Sequence, residues 1–596
     1  LKQKEMKNIF SISRILRFKW ISLVVAFALI VGSCQDLSEI NKSPNQLSAN
    51  EINIKYVLTS VLSGTARDYL YEYAYPGGWT LSEAMQYLQR DYIDFQSPNT
   101  FVWGTKDFSS PFSRIKNSQY IVENAALEKT ENNQKFYTAA GQIMRSFWYG
   151  YLTSLHGDIP YSEAMKAEEG NFTPIYDNQK DIFKGVLDDL KSANDLLAQV
   201  SSVDGAASSD IMFGGDIMKW RKFANSLRLR YLLRLSEKIS DMSAIGVDVK
   251  GEFNAIVNNS SANPVFTSNE ENAAISFIGS SSDNSWYGGP LWYSNRSEFY
   301  RRKPCATFVD AMVEGGDPRL TTFIRPVDAQ LRISDATPVY SKLSDGQIIR
   351  NIPTSTPDKD ELNTRRYVGL PPALQDPNLY NLATGVDFNA IKALNPGIYT
   401  DLAANPGVSY LADIYAQNNN PLVKSVLMSY AELCFILSEG CLKNWISSGD
   451  AVDYYNNGVV ASMRQYDIAN GSMKVYDPNT DALVAWNESA FLNNLSDEFT
   501  GTDDEGKLTK LMTQKWISCF MTPEFWFDWR RTGVPDLGAN VILGSNGKKI
   551  PVRIVYPDAE KNLNSNNVAE AITRLEPGED SHWSKMWLLQ GTNKPW

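Results

Sequence analysis

The sequence predicts a mostly α-helical, single-domain protein, in which paired helices form a scaffold and an irregular, loop-rich lobe is mounted on it. Long segments carry apolar residues at helical spacing, and these segments arrive in neighbouring pairs. Residues from about 251 to 422 are instead rich in Asn, Ser, Gly and Pro, with few long periodic stretches. We therefore expect the helical scaffold at about 50–250 and 423–530, and the loop-rich lobe at about 251–422.

The first 33 residues have the order of a lipoprotein signal peptide. Basic residues, among them Lys2 and Arg17, precede an apolar run at 21–31. That run is shorter than the roughly 18 to 20 apolar residues that a membrane-spanning helix needs. It ends in Val31-Gly32-Ser33-Cys34, which resembles a lipobox. We expect residues 34–596 to form the mature domain, anchored to membrane lipid through Cys34; an ordinary secretory signal with a chance cysteine is the alternative.

The helices can be placed from their periodicity. One face of the clearest segment is formed by apolar residues three or four positions apart, namely Phe136, Ala139, Ile143, Phe147, Tyr151 and Leu155. The predicted helices span residues 115–127, 136–155, 181–200, 217–239, 423–445, 451–466 and 507–520. Tetratricopeptide repeats have a period of about 34 residues, and the first helix starts are only roughly compatible with it.

Charge and composition narrow the possible partners. The chain has 57 basic and 68 acidic residues and a net charge of −11. Without residues 1–33 the counts are 51 and 67, which gives −16. This acidity disfavours nucleic acid, whose phosphates need a basic surface, and favours neutral ligands.

Few residues are available for catalysis or redox chemistry. His156 and His582 are the only histidines, so a His-based triad or a multi-histidine zinc site has almost no material. No CxxC pair occurs, and Cys434 and Cys441 lie two helical turns apart, about 10 Å along an axis, which is too far for a disulfide. We expect buried free thiols and no cofactor.

One segment has the spacing of a calcium loop. Its possible ligands occupy positions 1, 3, 5 and 12, which are Asp477, Asn479, Asp481 and Glu488. Position 6, where such a loop needs glycine for its sharp turn, is Ala482. We therefore expect a polar loop that caps the following helix, with no metal, and keep these residues as weak calcium candidates.

Aromatic abundance is the main indication of a binding function. The chain has 15 Trp, 29 Tyr and 26 Phe. Aromatic rings can pack on the C–H faces of sugars while nearby amides meet the hydroxyls, although packing explains most aromatic residues. Gly and Asn accompany two clusters, which lie at 69–79 and 286–293. The candidate ligand contacts are Trp286, Tyr287, Trp292 and Tyr293, followed by Trp79, Tyr87 and Trp103.

Several motifs, in this order, resemble the SusD-like (RagB/SusD) family of outer-membrane lipoproteins. They include Gly157-Asp158-Ile159-Pro160, Phe223-Ala224-Asn225-Ser226-Leu227-Arg228, Asp317-Pro318-Arg319-Leu320, Leu437-Ser438-Glu439-Gly440 and Trp529-Arg530-Arg531-Thr532-Gly533. The resemblance implies a single mostly α-helical fold of tetratricopeptide-like helix pairs, which binds a nutrient at the cell surface and forms a lid over a SusC-like, TonB-dependent outer-membrane barrel. Ligand-contacting residues vary within the family, so none is carried over.

The residues of these motifs have structural explanations of their own. Asp177 and Asp216 lie where helix N-caps belong, and Arg228 and Arg230 can bridge to acidic neighbours. The leading hypothesis is capture of an oligosaccharide and its delivery to the barrel, without catalysis. The alternatives are a peptide-binding member of the same family, a surface glycoside hydrolase that uses two carboxylates, and a purely structural scaffold.

Overall fold

The computed structural model describes residues 53–71, 81–91, 98–292, 294, 297–398, 405–471, 473–592 and 594. The chain divides into two units, Leu1–Asn53 and Ile54–Trp596, of which the second contains the described helices and strands. The expected signal-peptide boundary at residue 33 and the anchor residue Cys34 lie outside the described residues and stay predictions.

Helices dominate the chain up to residue 258, with three short strands between them. The helices are α1 (Ile54–Tyr71), α2 (Leu81–Ala84), α3 (Ser109–Asn124), α4 (Glu131–His156), α5 (Gln179–Leu197), α6 (Ile217–Arg234), α7 (Ile239–Ala244) and α8 (Val249–Asn258). The strands are β1 (Leu88–Arg90), β2 (Ile159–Pro160) and β3 (Tyr176–Asp177). Helix α3 packs on α4, α4 on α5 and α5 on α6, which confirms the expected stacking of consecutive helices.

Local sequence explains where these helices begin and end. The Thr130 side chain accepts a hydrogen bond from the backbone N–H of Asn133 at the start of α4, and Gly157 ends that helix at φ +94°. Asp216 caps α6 as predicted. The prediction for Asp177 is wrong, because its carboxylate instead accepts hydrogen bonds from the backbone N–H groups of Tyr161 and Ser162.

Short elements replace the long helices after α8, which ends at Asn258, past the predicted start of the lobe at 251. Its helices are short: α9 (Ser297–Tyr300), α10 (Ala306–Glu314), α11 (Leu320–Phe323) and α12 (Phe388–Leu394). Its strands are β4 (Ala273–Ser276), β5 (Arg302–Pro304), β6 (Ile324–Arg325), β7 (Gln330–Ile333), β8 (Tyr340–Lys342), β9 (Ile348–Ile352) and β10 (Tyr410–Leu411). Strands β7, β9 and β8 form a three-stranded sheet, β1 pairs with β5, and β6 pairs with β10.

The second helical part follows strand β11 (Lys424–Met428), which pairs antiparallel with β4. The predicted helix at 423–445 is therefore wrong in its first part, because Ser429 caps a helix that begins only at Tyr430. The remaining helices are α13 (Tyr430–Leu442), α14 (Ala451–Arg464), α15 (Glu488–Thr500), α16 (Asp504–Ser518), α17 (Glu524–Thr532), α18 (Asp558–Leu563) and α19 (Ser565–Thr573), with a hairpin of β12 (Lys474–Asp477) and β13 (Ala482–Ala485) before α15.

Buried ion pairs join the two helical parts. Arg230 on α6 donates two hydrogen bonds to Glu432 on α13, at 2.7 and 2.6 Å. Arg234 donates to Glu524 on α17 at 2.7 Å. Arg228 forms a longer pair with Glu252, at 3.3 Å. The predicted bridges of Arg228 and Arg230 to acidic residues are thus confirmed.

Aromatic side chains fill much of the interior. One large cluster of buried apolar residues runs through the helices and the lobe, and Trp148, Trp220, Trp516 and Trp526 are among its largest fully buried members. The described cysteines, at 305, 434, 441 and 519, are free thiols, as expected. Among the described residues, no helix combines the length and the apolar character that crossing a membrane requires.

Candidate functional site

Two loops of the lobe meet where the sequence predicts binding. The first, residues 277–292, follows β4; the second, residues 412–420, precedes β11. Because β4 and β11 pair antiparallel, with Ser276 opposite Lys424, the two loops leave the same end of the strand pair. We call these two loops together the loop face.

Asparagine side chains and backbone groups fasten the two loops to each other. The backbone N–H of Trp286 donates to the carbonyl of Asn418 at 2.7 Å, and that of Leu291 donates to the Asn418 side chain at 3.1 Å. The Asn419 amide donates to the carbonyl of Ile278 at 3.1 Å. Sequence reasoning missed these asparagines, although the polar run 417–420 does indicate a loop. The loop face is held by its own hydrogen bonds, so it presents its outer side chains from a fixed backbone.

Glycines allow this close approach. A Cβ atom at Gly288 would lie 2.1 Å from the carbonyl oxygen of Tyr415, and one at Gly289 would lie 2.3 Å from the side-chain oxygen of Asn418. Both contacts are far shorter than any real Cβ contact. The Gly288-Gly289 pair therefore marks the point at which the backbones of the two loops approach each other closely.

Trp286 and Tyr287 do not fit their predicted stacking role, because both are fully buried. The indole N–H of Trp286 donates to the carbonyl of Tyr415 at 2.8 Å, and its ring lies between the loops. The Tyr287 ring packs on that of Trp292, with ring centroids 4.4 Å apart. Nearby Gly and Pro argue against a helix there, but they do not argue against burial, and that is the physical reason for the correction.

Trp292 remains a candidate for ligand contact. Its side chain is half-buried, and its indole N–H donates to the carbonyl of Ser285 at 3.2 Å, which fixes the ring. Beside it in the sequence, Leu291 is 45 % exposed, and Ile278 on the same loop is 68 % exposed. The loop face thus offers an immobilised indole and exposed aliphatic groups among hydrogen-bonding amides.

The other aromatic candidates divide into buried and undescribed residues. Tyr87 is buried, with its ring stacked on Trp516 and its hydroxyl donating to the Trp516 carbonyl at 2.6 Å. Trp103 is also buried, edge-on to His582. The side chains of Tyr87 and Trp103 therefore pack in the interior and do not have the ligand contact that the sequence predicts. Trp79 and Tyr293 lie outside the described residues, so their roles stay predictions.

The described chain next to the first aromatic cluster reaches the loop face. Arg67 on α1, just before the first cluster, forms a surface ion pair with Asp283 of the loop face at 3.6 Å. Strand β1 pairs with β5, which places Leu88 opposite Pro304. The structure therefore joins α1 to the loop face through Arg67, and strand β1 to strand β5 of the lobe.

A buried charged group lies at the β1–β5 pair. The Lys303 ammonium is 3.7 Å from the Asp91 carboxylate and 3.2 Å from the centre of the Tyr410 ring. Burial raises the pKa of Asp91 to about 7, and Lys303 and Arg301 oppose this shift. Burial lowers the pKa of Lys303 to about 8, and Asp91 opposes that shift. The side chains of Asp91 and Lys303 are both buried, so we interpret this pair as stabilising the packing of β1 on β5. It is not the pair of accessible carboxylates that a glycoside hydrolase needs.

The weak calcium candidates form a turn and a helix start. The Asp477 carboxylate accepts hydrogen bonds from the backbone of Asn479 and the hydroxyl of Thr480, within the β12–β13 hairpin. Asp481 accepts from Tyr476, and Glu488 pairs with Arg464 at the start of α15, which Asn487 caps. Among the described residues, no group of three or more His, Cys, Asp or Glu side chains is arranged to hold a metal ion.

Known proteins resemble this chain in sequence and in fold. Residues 44–557 match the SusD-like family, whose description is "Starch-binding associating with outer membrane". No curated protein matches the sequence. Solved structures match this chain over almost their whole length. Because their sequence identities to it are below 25%, the likeness shows the fold alone.

Three of these structures illustrate the match. A SusD homologue from Bacteroides fragilis has a TM-score of 0.66 and 23% identity, with 90% of this chain and 100% of that chain covered. A SusD-like protein from Bacteroides thetaiotaomicron has a TM-score of 0.58 and 20% identity, with 89% and 98% covered. A chitin-binding protein has a TM-score of 0.61 and 21% identity, with 90% and 99% covered.

Proposed function

Because the chain belongs to the SusD-like family, we propose that it is a cell-surface lipoprotein that captures an oligosaccharide and delivers it to a SusC-like, TonB-dependent outer-membrane barrel. Association with the outer membrane and binding of a nutrient are properties of the family. The carbohydrate ligand, the barrel partner and the lipid anchor at Cys34 are the parts that this proposal adds.

The observation that carries the ligand class is the indole of Trp292 on the loop face. Its ring is fixed by the hydrogen bond to Ser285 and flanked by exposed Leu291. A rigid aromatic ring among amides can bind a sugar ring without a large loss of side-chain entropy. The net charge of −16 without residues 1–33 supports a neutral glycan over an anionic one.

Glycan-array binding by the soluble protein, residues 35–596, tests the ligand class. We expect one family of glycans to bind, and Trp292→Ala to weaken that binding about fivefold, since one ring stack contributes on the order of 1 kcal/mol. Trp583→Ala is the matched control, because Trp583 is also half-buried and lies outside the loop face. If the parent binds no glycan but does bind peptides, the carbohydrate ligand is wrong.

The same protein and glycan also test for catalysis. Capture without chemistry predicts that a bound oligosaccharide is recovered intact after long incubation, as judged by chromatography of its reducing ends. Shortened products would instead favour the glycoside hydrolase alternative.

Anchoring and delivery need the full chain in cells. Cys34→Ala should release the protein from the outer-membrane fraction, because the acyl chains supply about 0.8 kcal/mol for each buried CH₂. Affinity purification of the lipidated protein from detergent-solubilised membranes should recover a TonB-dependent barrel. Recovery of the protein alone under conditions that preserve membrane complexes would contradict the partner.

A further inference from the structure

A cavity of about 500 Å³ lies on the helical scaffold, away from the loop face. It is an open cavity lined by residues at the start of α5, in α7, near the end of α19 and in the C-terminal segment 586–590. None of its lining residues belongs to the loop face. Its volume is within the roughly 300 to 1,000 Å³ that is usual for small-molecule sites.

The walls of this cavity are fastened by buried hydrogen bonds. The Gln179 side chain donates to the carbonyl of Thr153 at 2.6 Å and accepts from the backbone N–H of Leu588 at 2.9 Å. Lys238 donates to the carbonyl of Gln590 at 2.7 Å. The C-terminal segment is therefore bound to the scaffold at two points, and a ligand would meet a preformed cavity.

An aromatic ring forms part of one wall. Trp587 is half-buried, and its indole N–H donates to the Asp241 carboxylate at 2.8 Å. The Lys238 ammonium lies 5.3 Å from the ring centre. These contacts fix the plane of the ring. Together with the lining side chains of Leu575 and Met586, the ring gives the cavity an apolar surface.

The polar lining is balanced in charge. Two carboxylates, Asp158 and Asp241, and two cations, Lys180 and Arg574, line the cavity. Asp158 is paired with Arg574, whereas the half-buried Lys180 side chain forms no hydrogen bond or ion pair with another described residue. The Gln590 amide nitrogen already donates to the carbonyls of Arg574 and Lys585, at 2.8 and 3.1 Å, so its side-chain oxygen is what it offers to a ligand. A neutral ligand rich in hydroxyl groups matches such a lining better than an anion or a cation does.

We propose that this cavity is a second saccharide-binding site, which takes a neutral mono- or disaccharide unit with Trp587 as its aromatic wall and Lys180 as a hydroxyl-binding donor. The choice of a sugar as ligand rests on the proposed function, whereas the shape and lining of the cavity do not. The two sites share no residue, so each can be tested while the other is intact.

Fluorine NMR of protein labelled with 5-fluorotryptophan distinguishes the two sites. Trp587→Phe and Trp292→Phe assign the two signals. The probes are glucose, galactose, mannose, xylose, fucose, N-acetylglucosamine, maltose and cellobiose, with glucuronate as the charged comparison. We expect at least one neutral probe to shift the Trp587 signal saturably, and Trp292→Ala to leave that shift unchanged.

Substitution of the donor completes the test. Lys180→Ala should weaken the Trp587 response about fivefold, since one hydrogen bond is lost, and Trp583→Phe should have no effect. A shift of Trp292 alone would overturn the second site and leave the proposed function standing. A shift of Trp587 alone would support the second site and count against the loop face. No response of Trp587 to any probe, or a stronger response to glucuronate, would overturn the inference.

Discussion

Replacing Glu432 by Gln tests whether buried ion pairs hold the two helical parts of the scaffold together. Glu432 accepts both of its hydrogen bonds from Arg230, and the two side chains are 6% and 4% exposed. Glutamine keeps the shape but removes the charge. The Arg230 guanidinium would then be buried beside a neutral amide, with Glu524, at 3.4 Å, as its remaining charged partner.

The expected cost follows from this burial. Removing one partner of a buried ion pair lowers the free energy of unfolding by roughly 3 to 5 kcal/mol, because the other charge stays buried without compensation. Glutamine can still accept one hydrogen bond and Glu524 remains, so we expect about 3 kcal/mol, the lower end of that range. Such a loss corresponds to a change of more than about a hundredfold in the unfolding equilibrium constant.

Urea unfolding, followed by circular dichroism and tryptophan fluorescence, measures this loss as a lower midpoint at an unchanged slope. Glu131→Gln is the control, because the Glu131–Lys135 pair lies at the surface and should not affect the midpoint. The double variant Arg230→Met with Glu432→Leu should regain most of the stability, since no unpaired charge remains. A parental midpoint for Glu432→Gln, or a double variant as unstable as the single one, would refute the reasoning.

Three further predictions concern the buried Trp286, the close approach at Gly288 and the buried His156. Trp286→Ala should lower the free energy of unfolding by about 3 to 5 kcal/mol, because it empties a buried site, and calorimetry of the purified variant measures this. Gly288→Ala should displace the loop face and weaken glycan binding, whereas Gly104→Ala, with no atom within 4 Å of its Cβ, should not. His156 is buried, and burial, with a smaller contribution from Arg553, lowers its pKa to about 3. Because the pKa of His156 is lower in the folded state than in the unfolded state, its contribution to the free energy of unfolding is complete above about pH 6.5 and is lost as pH falls towards 3. His156→Phe should therefore reduce the pH dependence of the free energy of unfolding by up to about 1.4 kcal/mol per pH unit in that range.

The scaffold could be predicted because its signals are local. In α4, the six residues at positions 136, 139, 143, 147, 151 and 155 are all buried, as the spacing of three and four predicts. The cap at Asp216 is local too, since it joins residues three positions apart. Asp177 was mispredicted because it stabilises a turn at Tyr161, sixteen residues earlier, and nothing in the neighbouring sequence records that contact.

The candidate site could be predicted only as a region. Its backbone is defined by contacts between residues about 130 positions apart, such as Trp286 with Tyr415 and Asn418. No local pattern shows which face of a loop aromatic such a partner will cover. Composition therefore identified the loop that carries Trp292, and it could not separate that half-buried ring from its buried neighbours Trp286 and Tyr287.

The motifs that resemble the family contain many of the ionic residues of the scaffold. Arg531 in one motif pairs with Glu439 in another, on a different helix, and Arg319 pairs with Asp317 within a third. A change on one side of such a pair leaves a buried charge on the other, so these motifs determine the fold and carry no information on the ligand.

The outer side chains of the loop face are free of this constraint, because backbone groups and asparagine amides hold the loops. Substitutions at Leu291 and Trp292 should therefore change which glycans bind while the urea midpoint stays near the parental value. Glu439→Gln should do the reverse, since it removes one of the two charged partners of Arg531, the other being Asp528, and Glu439 lies outside the loop face. Glycan arrays and urea unfolding curves of these variants test this prediction. An altered glycan preference in Glu439→Gln, or a much lower urea midpoint in the Leu291 and Trp292 variants, would show that the same residues determine both stability and ligand specificity.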